Sequence, residues 1–577
     1  MKISENVKNK FNKFFPYILI FFATIFICMP LMKKELNMFK DDGIQHICRL
    51  MGTYQSIKEG QTFPIIMSNF CNGFGYSWNL FYSPLTAFVP LLFKVVGLSF
   101  TNCIKIFMCI IVYLSGIAMF LSVNKVTKNR NIATLAGILY IFAPYRITDM
   151  YMRNALAELA SFVFLPMIFN GLYTIVDENK KSYALEIGIV GLILTHTLIA
   201  MYMAIICFIY LIVDIKKLKN RDVIKNLITN IVFALIITSF FWIPLIQSKY
   251  VADYEVFVPG RMEREDVLIS YKVDVKELFN ASKNKKDMIY AIGWVTIIGL
   301  LLTPFALKKI KPEYEKLYLT FLLLGIILTI MTLTFFPFEK LPSVLTMIQF
   351  TYRLFEFTSF LFAIVASINY GLVLKKFRIV DILVLSFIAG ALLIPYKDKI
   401  DYKENDENKL WPAVMLTQNT GRVHPGMASM EYLPSKAFNN KTYIISRSQG
   451  IVVNSGNTEI KNFYKNGTNM EMTISNTSAD TRIELPYIYY LGYNIKIEQD
   501  GKKQNLNYTE SNKGFIEIKV PETEENINIS VKYSGTKTMK IGIILAMFTI
   551  IGQILEFYLI SKKKYSKIVE VRKWKNV

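Results

Sequence analysis

Long apolar runs recur along most of the chain, divided by short clusters of lysine, and this alternation indicates the architecture before any single residue does. Twelve runs read as membrane spans, at 14–32, 103–123, 132–146, 158–176, 183–197, 199–214, 226–246, 289–307, 317–336, 354–374, 379–395 and 538–560. A helix of about 20 apolar residues covers a hydrocarbon core of roughly 30 Å. Residues 82–98 are apolar as well, but they hold Pro84, Pro90 and Lys94. Counting them as a crossing would turn Lys125, Lys128 and Arg130 to the wrong side, so an interfacial or re-entrant segment is expected there. The first outer loop then runs from about 33 to 102. Between 396 and 537 the period changes. "MEMTISN" at 470–476, "YNIKIEQDGKK" at 493–503, "FIEIKV" at 515–520 and "INISVKY" at 527–533 alternate with period two, with a turn at Asp500-Gly501. That pattern predicts antiparallel strands, most simply a small β-sandwich after a polar linker at 401–409. The expected fold is thus a polytopic α-helical membrane protein of about 12 spans with a C-terminal β-sandwich-like domain. Its parts are a multi-span domain at 1–395, a β-rich domain at 396–537, and a last span with a basic tail at 538–577.

Charge gives this topology a direction. The seven segments expected in the cytoplasm carry 28 lysines and arginines in about 70 residues, whereas the loops at 33–102 and 247–288 carry 14 in about 110. The positive-inside rule therefore puts both termini in the cytoplasm and the β domain outside. The net charge of +22 lies in these inter-span clusters, a topology signal that argues against nucleic acid as a partner. At 53% hydrophobic residues and a mean hydropathy of +0.34, the chain needs the lipid bilayer to cover part of its surface. Lys2, Lys8, Lys10 and Lys13 precede the run from Phe14 to Leu31. That run is long for a signal peptide and has no small-residue cleavage site after it, so an uncleaved first helix is expected. Six cysteines form no CxxC pair; Cys48 and Cys71 could meet in a disulfide within the first loop.

Candidate chemistry gathers at the outer ends of the spans. "DDGIQHICRL" offers Asp41, Asp42, His46 and Arg49. Adjacent carboxylates there suit a general base or a divalent cation such as Mg or Mn, and equally an ordinary helix cap. "APYRITDMYMRNALAELASF" offers Arg146, Asp149, Arg153 and Glu158. Either arginine could meet a phosphate while Asp149 or Glu158 orients an acceptor or metal; a local salt-bridge network is the plainer alternative. His196 in "LTHTLIA" is a packing residue or, beside a cavity, a site residue. "IQFTYRLFEF" brings Gln349, Arg353 and Glu356, where Arg353 either snorkels to headgroups or clamps a lipid phosphate. His424 and Glu431 in "GRVHPGMASMEYLP" could reach back over the membrane face. Tyr487, Tyr489, Tyr490 and Tyr493 either stack on sugar rings or fill a core. Neither GxxxxGK[ST] nor GxGxxG occurs after a strand, so cytosolic nucleotide is not expected to power this chain.

The acidic motif after the first span, the long outer loop, the many further spans and the outer domain resemble the GT-C class of membrane glycosyltransferases. More narrowly, "DDGIQHICRL", "GFGYSWNLFYSPL", "APYRITDMYMRNALAE", "IQFTYRLFEF" and "MEYLP" resemble the bacterial membrane-protein family labelled 6-pyruvoyl-tetrahydropterin synthase-related. That label does not imply pterin chemistry. The soluble synthase uses three zinc-binding histidines, and the only histidines here are His46, His196 and His424, with no ligand spacing. The GT-C resemblance implies transfer of a sugar from a polyprenyl-phosphate carrier to an envelope polymer or glycolipid acceptor at the outer face of a bacterial cytoplasmic membrane. It implies Asp41 or Asp42 as base or metal ligand, with Asp149 and Glu158 as further acidic candidates. Arg146, Arg153, Arg353, His46, His196 and Gln349 are the candidates for substrate and phosphate. Two other classes stay open: a transporter or flippase of lipid-linked substrate, which needs charges near the bilayer midplane, and a non-catalytic envelope-assembly protein displaying the β domain.

Overall fold

The computed structural model describes residues 5–39, 41–258, 265–279, 288–408, 430–499 and 501–575. His424 and Asp500 lie outside the described residues.

Each of the twelve apolar runs contains helix, because each offers uninterrupted backbone hydrogen bonding that lipid cannot supply. The helices used below are α1 (Glu5–Cys28), α2 (Asp42–Lys58), α3 (Leu85–Leu91), α4 (Phe100–Thr127), α5 (Arg130–Ile141), α6 (Leu156–Val176) and α7 (Ala184–Ile193). They continue as α8 (Thr197–Val213), α9 (Arg221–Val251), α10 (Trp294–Leu301), α11 (Pro312–Met331), α12 (Leu354–Val373), α13 (Ile379–Ala391) and α14 (Lys537–Lys575). Among the described residues, eight segments are long and apolar enough to cross a membrane, and they contain α1, α4, α6, α9, α11, α12, α13 and α14. Four of the twelve expected spans coincide with shorter apolar helices, at α5, α7, α8 and α10.

Local sequence shortens those four. Asn129 caps α5, accepting from the amides of Asn131 and Ile132, and Pro144 opens a new turn soon after α5 ends. His196 takes an extended backbone between α7 and α8, and its side chain accepts from the Ile199 amide. Gly293, at φ 96°, turns the chain into α10, which stops just before Thr303-Pro304. The stretch from Leu85 to Val96 is likewise a short apolar helix rather than a span.

Close approach compensates for short length. Glycines on α6 and α7 let the two backbones nearly touch: a β-carbon on Gly171 would lie 2.2 Å from the Leu185 nitrogen, and one on Gly188 would lie 2.9 Å from the Ile168 nitrogen.

The β region forms two antiparallel sheets. The strands are β1 (Val452–Ser455), β2 (Glu459–Asn466), β3 (Asn469–Ser475), β4 (Arg482–Ile488), β5 (Tyr493–Gln499), β6 (Lys502–Leu506), β7 (Tyr508–Glu510), β8 (Phe515–Lys519) and β9 (Ile527–Tyr533). They are ordered β1-β4-β8-β7 and β2-β3-β9-β5-β6. On β9 every second residue is buried, as period-two alternation requires. Ile474, Ile495 and Ile529 of one sheet and Ile483 and Ile518 of the other belong to one buried cluster. Tyr487, Tyr489, Tyr490 and Tyr493 are all buried, which makes them core rather than a sugar platform.

Two attachments tie this region to the helices. The polar stretch after α13 is docked: Asn37 donates its amide to the Asp401 carbonyl at 3.0 Å, and the Glu407 carboxylate accepts from the Phe100 and Thr101 amides at the start of α4. The first loop seats against the sheets, with Ile488 donating to the Phe74 carbonyl at 3.0 Å and Phe74 edge-on to Phe515. Cys48 and Cys71 are buried, unbonded thiols, so the disulfide is not formed.

Replacing Gly188 by valine would force α6 and α7 apart. The expected result is a loss of about 1–3 kcal/mol, typical of overpacking, read as a lower unfolding temperature of the purified protein in detergent. Gly501→Val, at a position with open space around it but a positive φ, would report backbone strain alone.

Candidate functional site

Four helices begin at one place. Asp42 lies in the first turn of α2, Glu158 in the first turn of α6, His196 caps α8, and Arg353 caps α12. All four line a single cavity of about 280 Å³. Each helix start brings the positive end of its dipole, so the cavity is biased toward anions. The polar residues that the sequence scatters over more than 300 positions meet here because every one of them sits where a helix starts.

A network of charges fixes the wall. Arg153 Nη2 donates to Asp42 Oδ2 at 2.6 Å, and its two terminal nitrogens hold Glu158 at 2.7 and 3.0 Å. Arg353 Nε donates to Glu158 Oε1 at 2.7 Å, and its Nη1 bonds the Ile348 carbonyl at 2.9 Å and Gln349 Oε1 at 2.7 Å. Tyr145 completes the set by donating to Glu158 Oε2 at 3.0 Å. Glu158 is 2% exposed and accepts from two guanidiniums and a phenol, whereas Asp42 is 30% exposed. Glu158 is therefore an organiser of cations, and Asp42 is the carboxylate open to the cavity.

Local backbone supports this. After Pro144–Ile147, the chain makes a π-helical turn at Thr148–Met152, which re-aims Asp149 and Arg153. Asn154 follows at φ 53° and donates to the Asn37 carbonyl at 3.2 Å. Gly43 lets α2 press onto that bend: a β-carbon there would lie 2.4 Å from the Met38 oxygen and 2.7 Å from Asn154 Cβ.

Of the residues singled out in sequence, Asp42, His46, Arg49, Glu158, His196, Gln349, Arg353 and Glu431 line the cavity. Arg153 stands just behind, its guanidinium taken up by Asp42, Glu158 and Asp149. Asp41, the residue before α2, holds φ 47° and is not among the lining residues. Arg146 and Asp149 are fully buried and outside the lining. The Arg146 guanidinium sits over the rings of Phe162 and Tyr140, 4.1 and 5.1 Å from their centres, and its other nitrogens bond the Tyr140 carbonyl. That placement encloses Arg146 in protein instead of offering it to a phosphate. Among the described residues no three His, Cys, Asp or Glu groups are placed to hold a metal ion.

The cavity is also lined by Arg49 and Glu431, both named from sequence, and by aromatic residues that motif reasoning passed over. Arg49 is buried, donating to Asn79 at 2.8 Å and to the Tyr82 and Ser83 carbonyls at 2.9 and 3.1 Å, and thereby shapes the loop before α3. Trp78, Phe81, Tyr82, Phe350 and Tyr432 give the cavity aromatic walls. Tyr432 stacks on Phe81 at 5.3 Å and 2°. Glu431 enters from the segment leading to the β sheets, where Val256 donates to the Glu431 carbonyl at 2.7 Å. The signal available in sequence was "GFGYSWNLFYSPL", whose density of aromatics in an outer loop is unusual.

His46 is buried at the cavity, and desolvation pushes its imidazole down from 6.5 to about 4. It is neutral at pH 7.

A sequence model described as "6-pyruvoyl-tetrahydropterin synthase related domain; membrane protein" matches residues 80–396. An uncharacterized protein of Lactococcus lactis subsp. cremoris (strain MG1363) is 24% identical over 604 residues, covering 96% of this chain and 96% of its own. A cryo-EM structure of the arabinofuranosyltransferase AftD from Mycobacteria is similar over 67% of this chain at 10% identity and a TM-score of 0.45. The chain matches 27% of the length of AftD.

Two outcomes are expected. Glu158→Gln leaves two buried guanidiniums short of their carboxylate and should cost about 3–5 kcal/mol, measured by denaturant or thermal unfolding. For His46, the unfolded chain takes up its proton near pH 6.5 and the folded chain only near pH 4. Between those values the unfolded state binds more protons, so stability falls as pH falls. His46→Gln should flatten that part of the stability–pH curve.

Proposed function

The chain belongs to the family of membrane proteins described as 6-pyruvoyl-tetrahydropterin synthase related, and we propose that it works as a membrane glycosyltransferase. The proposed donor is a sugar on a polyprenyl-phosphate carrier. The proposed acceptor is a hydroxyl of an envelope polymer or glycolipid at the outer face of a bacterial cytoplasmic membrane. The excess of lysine and arginine in the opposite loops supports placing the cavity and the β domain outside and both termini inside.

One observation carries the reading: a reachable carboxylate, Asp42, and a fixed guanidinium, Arg353, face the same aromatic-walled cavity, around which four helix N-termini gather. In the proposed step the acceptor hydroxyl gives its proton to Asp42 Oδ1, the oxygen not bonded to Arg153. The acceptor oxygen attacks the anomeric carbon as the bond from that carbon to the phosphate oxygen breaks. The electron pair leaves with the phosphate, whose added charge is met by Arg353 and the helix N-termini. A single displacement inverts the anomeric centre. Arg153 orients Asp42, Glu158 holds both arginines in place, and the rings of Trp78, Phe81 and Tyr432 offer faces for the sugar. No step is routed through a cation.

The transport alternative draws less support. Glu158 and Arg353 stand at the beginnings of their spans rather than at the middle, where a two-sided carrier holds its substrate.

The test is sugar transfer from a polyprenyl-phosphate-linked donor by purified protein in liposomes. Asp42→Asn is expected to lower the rate by about 10²–10⁴-fold, the usual worth of a general base, while Asp41→Asn stays close to the parent. Arg353→Ala should be similarly impaired. An undiminished rate in Asp42→Asn would end the proposal.

A further inference from the structure

A second concavity opens on the same side of the spans, between the end of α1 and the end of the span that contains α13. Its volume is about 380 Å³, and its walls are almost wholly apolar, with Phe26, Ile147 and Ile394 among them. It shares no residue with the cavity at Asp42. Lys33 and Lys397 are the charged residues of its lining, and no carboxylate is among the described residues that line it. The mouth is built rather than loose. Lys33 Nζ lies 4.7 Å from the centre of the Tyr402 ring, and Lys105 Nζ donates to the Lys33 carbonyl at 2.7 Å. Leu36 pairs with Tyr402 across an antiparallel bridge, and Asn37 Nδ2 donates to Asp401 Oδ2 at 2.7 Å.

An apolar slot at the end of two membrane helices, with two ammonium groups at its rim, matches one kind of ligand. We propose that it holds an anionic phospholipid, with an acyl chain in the slot and the phosphate between Lys33 and Lys397. The chain accounts for the apolar walls, and the phosphate accounts for lysines on the side of the protein that is otherwise poor in them. Ile147 in its wall belongs to the same turn-rich stretch as Arg153, so a lipid seated there braces the backbone behind the catalytic candidates. A lipid site of this kind is separate from any carrier bound at Asp42 and does not depend on the proposed transfer reaction.

The probe is phosphatidylglycerol against phosphatidylcholine, offered to the full chain in detergent and read by native mass spectrometry. Phosphatidylglycerol should be retained in preference, and inorganic phosphate should neither bind nor compete. Lys33→Glu with Lys397→Glu should weaken retention by about tenfold or more. Ile394→Trp, at a position 57% exposed, should fill the slot and do the same without touching charge. Asp42→Asn should retain the lipid like the parent, which separates failure here from failure of the glycosyltransferase reading. Equal retention of the two lipids, or no change in either variant, would overturn the proposal. Displacement of phosphatidylglycerol by an equal amount of polyprenyl phosphate would also overturn it, since the slot would then be the carrier's own channel.

Discussion

The Glu158 carboxylate is the interaction on which the site depends. It accepts from Arg153 and Arg353 at once, and Arg153 in turn reaches Asp42. One buried anion therefore ties the starts of α2, α6 and α12 to each other. Three separate stretches of chain must be in register for these bonds to form, so the same contact that assembles the bundle aligns the cavity wall. The cost of burying these charges is offset only when every partner is in place. A fold held this way tolerates little loosening at its centre while leaving Asp42, at the rim, open to chemistry.

Much of this was legible in the chain, for identifiable reasons. The helices could be read because apolar runs punctuated by lysine leave few alternatives. The strands β3, β5, β8 and β9 could be read because one of their faces is buried and the other wet, which is the condition that writes period two into a sequence. The lengths were less legible. Apolarity does not show where α7 stops and α8 starts, and the terminators there, a histidine cap and a few small residues, are weak signals. For the site, residue types at helix starts pointed to Asp42, Glu158, His196 and Arg353. What could not be read was which member of each group faces the cavity. The π-helical turn at Thr148–Met152 decides that Arg153 turns toward Asp42 while Arg146 turns into aromatic packing, and one-residue insertions of this kind leave no periodic trace.

The β sheets also bear on the cavity. Glu255 and Val256 bond the backbone of Leu433 and Glu431, and Tyr490 of the sheet region donates to the Tyr432 carbonyl at 2.9 Å. Tyr76 accepts from the Tyr432 amide on the other side. Glu431 and Tyr432 are thus held over the cavity by the sheets and by the first loop together. A module that only displayed itself to a partner would not need to supply a wall of the membrane-level cavity.

Behind the wall lies a second layer of charge. Arg146, Asp149 and Glu356 are fully enclosed, and Arg146 Nη1, Asp149 Oδ2 and Glu356 Oε2 have no hydrogen-bond partner among the described residues. Ser161 donates to the other oxygen of Glu356. Buried groups left partly unsatisfied are expensive, and a bundle could replace them with leucine at a gain in stability. Their position explains what they do instead. Asp149 Oδ1 lies 3.4 Å from Arg153 Nη1 whereas Asp42 takes Nη2, so the guanidinium does not rest on Asp42 alone. Arg153 is thus positioned by Asp149 and Glu158 as well as by Asp42. Only Oδ2 of Asp42 is bonded to Arg153, which leaves Oδ1 as the atom that the proposed reaction needs for the proton of the incoming hydroxyl.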